Sequence, residues 1–79
     1  MQTLKTGATI SAFSTEYLFT ERETEVFYYL IRGHSIKHIA QRLYISESLV
    51  KKLIRSLYDK TGSESREALL KKVEGRSFQ

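Results

Sequence analysis

No cysteine occurs in the 79 residues. That absence removes any disulfide framework and any thiolate metal centre, and it fits a reducing compartment. No apolar run approaches the roughly 18 residues that a membrane helix requires. The N-terminus lacks the apolar core of a signal peptide, so the expected location is the cytoplasm. No strand pattern survives either, because there is no alternating run of useful length and no hairpin turn. No glycine-rich phosphate loop and no set of nucleophile, base and orienting group is visible, so neither an enzyme nor a cofactor is expected. No segment repeats itself. A chain this short makes one domain and buries only about 60–65% of its unfolded surface.

What the chain has is clustered positive charge and helical periodicity. The net charge is +4, but it is unevenly spread. Residues 1–30 carry a balance of −2, residues 31–60 a balance of +5 and residues 61–79 a balance of +1. Clustering of this kind is the footprint of a phosphate-binding face.

The periodicity predicts four helices and an all-α class. Residues 1–17, rich in Thr, Ser, Gly and Ala, are expected as a flexible arm or linker remnant, the alternative being a short helix near Phe13–Phe19 packed on the domain. Thr20-Glu21-Arg22-Glu23 is a capping box opening the first helix, and Phe19 ahead of it is placed to staple onto the first turn. Val26, Phe27, Leu30 and Ile31 form that helix's buried stripe, and Arg32-Gly33 reads as its stop. Ser35 caps a second helix, whose stripe is Ile36, Ile39, Ala40 and Leu43. Leu43-Tyr44-Ile45 forms a tight turn with Ile45 as a plug into the core. Ser46 caps a third helix running to about Thr61, stopped by Gly62. Ser63 or Ser65 caps a fourth, which carries Ala68, Leu69, Leu70 and Val73 and is expected to stop at Gly75. Residues 18–75 are thus the expected domain and 76–79 a tail.

The third helix is two-sided. Val50, Leu53, Ile54 and Leu57 repeat at i, i+3, i+4, i+7 on one side; Ser48, Lys51, Lys52 and Arg55 repeat likewise on the other. Charged residues on an outer helix face are usually just solvated. Here the stripe lies on a helix that follows another after a short turn, which is how a reader of the DNA major groove is built.

Phe19-Thr20-Glu21-Arg22-Glu23-Thr24-Glu25-Val26-Phe27, Gly33, Ile39-Ala40-Gln41-Arg42-Leu43-Tyr44-Ile45-Ser46, Val50-Lys51, Lys60-Thr61-Gly62 and Ser65-Arg66 occur in that order. This long pattern resembles the LuxR-type (GerE-like) DNA-binding domain over roughly residues 18–75. The resemblance implies a four-helix domain with a helix-turn-helix at its second and third helices. It also implies bacterial transcription regulation and pairing through the fourth helix. The family's Val-Lys pair falls on Val50 and Lys51, its following variable position on Lys52, and a common basic position on Arg55. Related proteins often carry a sensory or receiver domain upstream, so this chain is expected to be a stand-alone regulator or an excised output domain.

Four positions depart from that pattern. Leu49 stands where the family usually has Thr, and Leu53 where it often has His. Thr61 stands where it usually has Leu, and Ser63 where it has an aliphatic residue. Leu49 cannot donate to a phosphate. Either the helix rolls slightly and still reads DNA through its basic residues, or the widened apolar face serves a protein contact.

Double-stranded DNA is therefore the expected partner, bound sequence-specifically. Lys51, Lys52 and Arg55 are expected to reach base edges, with Ser48 and Val50 beside them. Lys37, Arg42 and Lys60 are expected to hold phosphates. The alternative function is a protein-interaction module that kept the fold and has weak or no operator binding. Leu69, Leu70 and Val73 are the expected dimerisation residues of a weak homodimer through the fourth helix, with Leu70 or Val73 at its centre and Lys71 and Lys72 at its rim. His34 and His38, four apart, could share a face, but two ligands do not make a zinc site, and no metal is expected. Tyr28, Tyr29, Tyr44 and Tyr58 are expected as half-buried packing residues with wet hydroxyls. Glu23 and Arg66 are expected to be scaffold, linking the first helix to the start of the fourth.

Overall fold

The computed structural model describes residues 10–77 of the chain. Among them are helices and turns and no strand. A short helix, α1, covers 10–16. It is followed by α2 (Glu21–Ile31), α3 (Ile36–Leu43), α4 (Glu47–Thr61) and α5 (Arg66–Ser77). The expected all-α class and the helix-turn-helix of α3 and α4 are both present, with one helix more than expected ahead of them.

That extra helix corrects the reading of residues 1–17 as a flexible arm. Residues 1–9 lie outside the described part, but Phe13 is completely buried. Its ring stacks on Phe27 at 5.3 Å, and Phe27 also receives the edge of Phe19 at 5.2 Å. The Ser14 and Thr24 hydroxyls share a hydrogen bond of 2.9 Å. Burying one Phe contributes about 1.5–3 kcal/mol, enough to hold a two-turn helix that would not persist alone. The short helix weighed as the alternative therefore exists, a few residues earlier than expected. Phe19 packs on Phe27, two turns into α2.

The caps follow the side-chain chemistry. The Thr20 hydroxyl accepts the Glu23 N–H at 3.1 Å, and the Glu23 carboxylate accepts the Thr20 N–H at 2.8 Å, completing the capping box. The Ser35 and Ser46 hydroxyls accept the N–H groups of His38 and Leu49. Ser65, not Ser63, caps α5, accepting the Ala68 N–H at 3.2 Å. Gly33 and Gly62 end α2 and α4 with φ of +86° and +67°, the left-handed region that glycine enters freely. Gly75 is not a stop, since α5 runs through it to Ser77.

The core is Phe13, Val26, Phe27, Leu30, Ile39, Ala40, Val50, Ile54, Leu57, Leu69 and Val73. α4 packs on both α2 and α3, and α5 closes the far side against α2 and α4. Leu69 is 0% exposed and Val73 9%, so both belong to the monomer's own core. Of the expected dimerisation residues, Leu69 and Val73 are thus drawn inward, and Leu70, one of the two expected centres, is the one that stays half-buried. α5 must spend its two best apolar positions on the first four helices because so small a domain has few others to close it.

Arg66 donates to the Leu30 carbonyl at 2.9 Å and to the His34 carbonyl at 2.6 Å, satisfying the C-terminal end of α2 and the link to α3. It is scaffold as expected, but it does not meet Glu23. Thr61 and Ser63 explain each other. Both are buried, and their hydroxyls bond at 2.8 Å while Thr61 donates to the Leu57 carbonyl at 2.8 Å. A polar pair thus fills a site where the family pattern has two apolar residues. Because the Thr61 proton goes to Leu57, Ser63 donates to Thr61, and removing the Thr61 hydroxyl strands that of Ser63 in the core, at about 1–3 kcal/mol. Thr61→Val should destabilise by about that much, Ser63→Ala, which leaves Thr61 bonded to Leu57, by less, and the double variant should cost clearly less than their sum. Urea unfolding of the four proteins checks this, and strict additivity would contradict the pairing.

Candidate nucleic-acid interface

The turn between α3 and α4 sets the direction of α4. Tyr44 closes α3 in the left-handed region at φ +57°. The Ile45 N–H donates back to the Ala40 carbonyl at 3.1 Å, and the Ile45 side chain packs partly against the core, as the expected plug. Tyr44 itself points outward and is 93% exposed, which corrects its assignment as half-buried, whereas Tyr28, 37% exposed, is close to the half-burial expected. The ring of Tyr28 carries the Arg32 guanidinium, 5.2 Å from its centroid.

Val50, Ile54, Leu57 and Thr61 form the buried side of α4. Ser48, Lys51, Lys52 and Arg55 are all exposed on the opposite side, in the grouping the sequence spacing predicts. Among the described residues none of the three cations has an ion-pair partner. Lys37 and Arg42 are exposed on α3. Two expected contacts are not brought to this face. Val50 is 0% exposed and serves the core, because its position on the helix turns it inward. Lys60 is exposed as a residue, but its ammonium group is engaged elsewhere. It donates to Glu23 Oε1 at 2.6 Å and to the Leu18 carbonyl at 3.0 Å.

Glu23 is the centre of a network that sequence spacing missed. Its carboxylate accepts from the Thr20 N–H, from Lys60 Nζ and, through Oε2, from the Ser56 hydroxyl. Burial alone would raise its pKa, but the hydrogen bonds from Lys60, Ser56 and Thr20 outweigh burial and hold it at about 2, against an ordinary 4.5. Two of those donors belong to α4, so the network fixes how α4 sits on α2. Ser56 and Lys60 lie one turn apart on α4, and that i, i+4 spacing is the signal that could have revealed the network.

The two histidines lie side by side. Their rings stack at 4.3 Å and 16°, edged by Tyr29 at 5.7 and 6.0 Å. The pKa of His34 is pushed down by desolvation, and further by the charges of His38, Arg32, Arg66 and Arg42. A neighbourhood with that much positive charge repels a metal cation. Among the described residues no group of three or more His, Cys, Asp or Glu could hold a metal.

With this geometry in hand, comparison with known proteins identifies the family. The model of the bacterial regulatory proteins of the LuxR family matches residues 17–73. The chain belongs to this family. It is also 39% identical over 54 residues to the spore germination protein GerE of Bacillus subtilis (strain 168), a match covering 68% of this chain and 73% of that protein. No solved structure is significantly similar to the chain. The family is one of transcription regulators rather than enzymes. Among the described residues no helix is long and apolar enough to cross a membrane.

The Glu23 network carries a pH signature. Its folded pKa lies below the unfolded value, so its stabilisation is fully present above about pH 4.5 and is lost as pH falls toward about 2. Thermal melts across pH 2–6 should show this loss in the native chain. Glu23→Gln should be less stable at neutral pH by about 1–3 kcal/mol, and its melting temperature should fall less on acidification. Parallel pH curves for the two proteins would contradict the assignment.

Proposed function

We propose that this chain is a LuxR-family transcription regulator, or the output domain of one, that binds double-stranded DNA sequence-specifically by laying α4 in the major groove. The observation that carries this reading is the exposed row of Lys51, Lys52 and Arg55 with no ion-pair partner among the described residues. Uncompensated cations gain most where they displace counterions from phosphates. The row starts in the first two turns of a helix whose N-terminus is itself partly positive, and that end enters the groove. Lys and Arg at this position find guanine O6 and N7 as partners. Lys37 and Arg42 on the preceding helix supply phosphate contacts and set the register. Ser48 is placed for either kind of contact. A protein-interaction module that had given up DNA would have no use for an unpaired cationic row, and we set that reading second. Cytoplasmic location accords with a DNA partner.

Two copies would pair about the outer side of α5. With Leu69 and Val73 in the monomer core, Leu70 is the apolar centre available, with exposed Lys71 and Lys72 at the rim. Two-fold pairing sets two α4 helices about one helical turn of DNA apart on an inverted repeat.

The functional test begins with selection of bound duplexes from a random pool. Lys51→Ala and Arg55→Ala should each weaken binding to the selected site by about 1–3 kcal/mol and relax preference at one base pair. Lys37→Ala should weaken all duplexes alike and lower the salt slope by about 1. Native-like affinity in both α4 variants would overturn the assignment of α4 to the groove.

For pairing, the chain should bind a full inverted repeat more tightly per copy than a half-site, and Leu70→Glu should abolish that difference. Equal affinity per copy on both duplexes would rule pairing out.

A further inference from the structure

Leu49 is left unused by the contacts above. It stands in the first turn of α4, with its N–H donated to the Ser46 hydroxyl at 3.0 Å. Its side chain is 39% exposed. Leu53, one turn further on, packs partly against the core, so the two leucines do not form one outward apolar face. The outward neighbours of Leu49 are Ser48 and Lys52, both exposed. An apolar side chain therefore stands beside the cationic row, at the end of the helix that reaches base edges. It cannot donate to a phosphate. The apolar group that a major groove offers is the C5-methyl of thymine.

We infer that Leu49 is a specificity-determining residue that packs on a thymine methyl in the major groove; this rests on the placement of α4 in the groove. Closing the contact takes two apolar surfaces out of water together. A cytosine in the same place offers an amine instead of a carbonyl and no methyl, so it loses the contact. Residues i and i+3 on a helix lie about 5–6 Å apart, and successive bases about 3.4 Å apart. The thymine therefore falls within roughly two base steps of the base that Lys52 contacts.

The test uses the full chain and its selected duplex, with each thymine replaced in turn by deoxyuridine. That replacement keeps the pairing and removes only the methyl. One position should weaken binding of the native chain by about 3- to 10-fold. The same replacement should leave Leu49→Ala unaffected, and a thermal melt confirms that this variant is folded. The scan on the native chain needs no variant and stands if Leu49→Ala fails to fold. Binding with no sensitivity to deoxyuridine anywhere overturns the inference, as does a selected site without thymine near the Lys52 contact. A deoxyuridine penalty that persists in folded Leu49→Ala also overturns it. Each of those results leaves the groove placement intact. Absence of salt-dependent DNA binding by the native chain overturns both.

Discussion

The carboxylate of a glutamate only 4% exposed must be hydrogen-bonded, and the groups that satisfy Glu23 come from separate parts of the chain. Thr20 supplies a backbone N–H from the start of α2, and Lys60 and Ser56 supply an ammonium and a hydroxyl from the C-terminal half of α4. The remaining reach of Lys60 goes to the Leu18 carbonyl, just ahead of that cap. Helix capping and helix packing therefore share one group. If α4 slid or rotated on α2, a buried charge would lose its partners, which is far more costly than a loosened surface pair. The orientation of the cationic row on the other side of α4 depends on this joint.

The same joint divides the positive charge of α4 between two tasks. Lys60 is used inward, against Glu23, and adds nothing to the outer field. Lys51, Lys52 and Arg55 are left without ion-pair partners among the described residues, although Glu47 and Asp59 lie on the same helix. A folded chain that holds three like charges close together bears some self-repulsion, which a polyanion relieves. Packing and electrostatics are thus parts of one account: the helix is anchored by its inward lysine, and its outward cations stay available to the proposed partner.

Departures from the family pattern have separate physical meanings. Thr61 and Ser63 change together because the buried Ser63 hydroxyl requires a partner, and Thr61, itself bonded to Leu57, supplies it. Leu53 is absorbed by packing, whereas Leu49 remains at the surface beside the cations. Leu69 and Val73 are absorbed as well, leaving α5 with Leu70 as its partly exposed large apolar residue. A position one residue along a helix can thus pass from core to surface, and its chemistry passes from stability to recognition.

The sequence by itself determined the local structure. The capping box at Thr20, the serine caps and the glycine stops at 33 and 62 are short-range chemistry, decided within four residues, and the four helices from Glu21 onward start where those signals put them. The cationic row was legible for the same reason, since a spacing of i, i+3, i+4, i+7 fixes a shared helix face before any packing occurs. Tertiary structure alone decided matters settled by distant neighbours. The helix over 10–16 has no usable period and exists because Phe13 finds Phe27. Gly75 failed as a stop because a glycine ends a helix only where the chain turns left-handed, and here it does not. Lys60 left the expected interface because Glu23, 37 residues away in the chain, lies within hydrogen-bonding distance of it. Side chains such as Lys60, Leu69 and Val73 could each have faced outward on pattern alone. Their direction was set by which buried group or apolar surface the fold brought opposite them, and no local spacing encodes that.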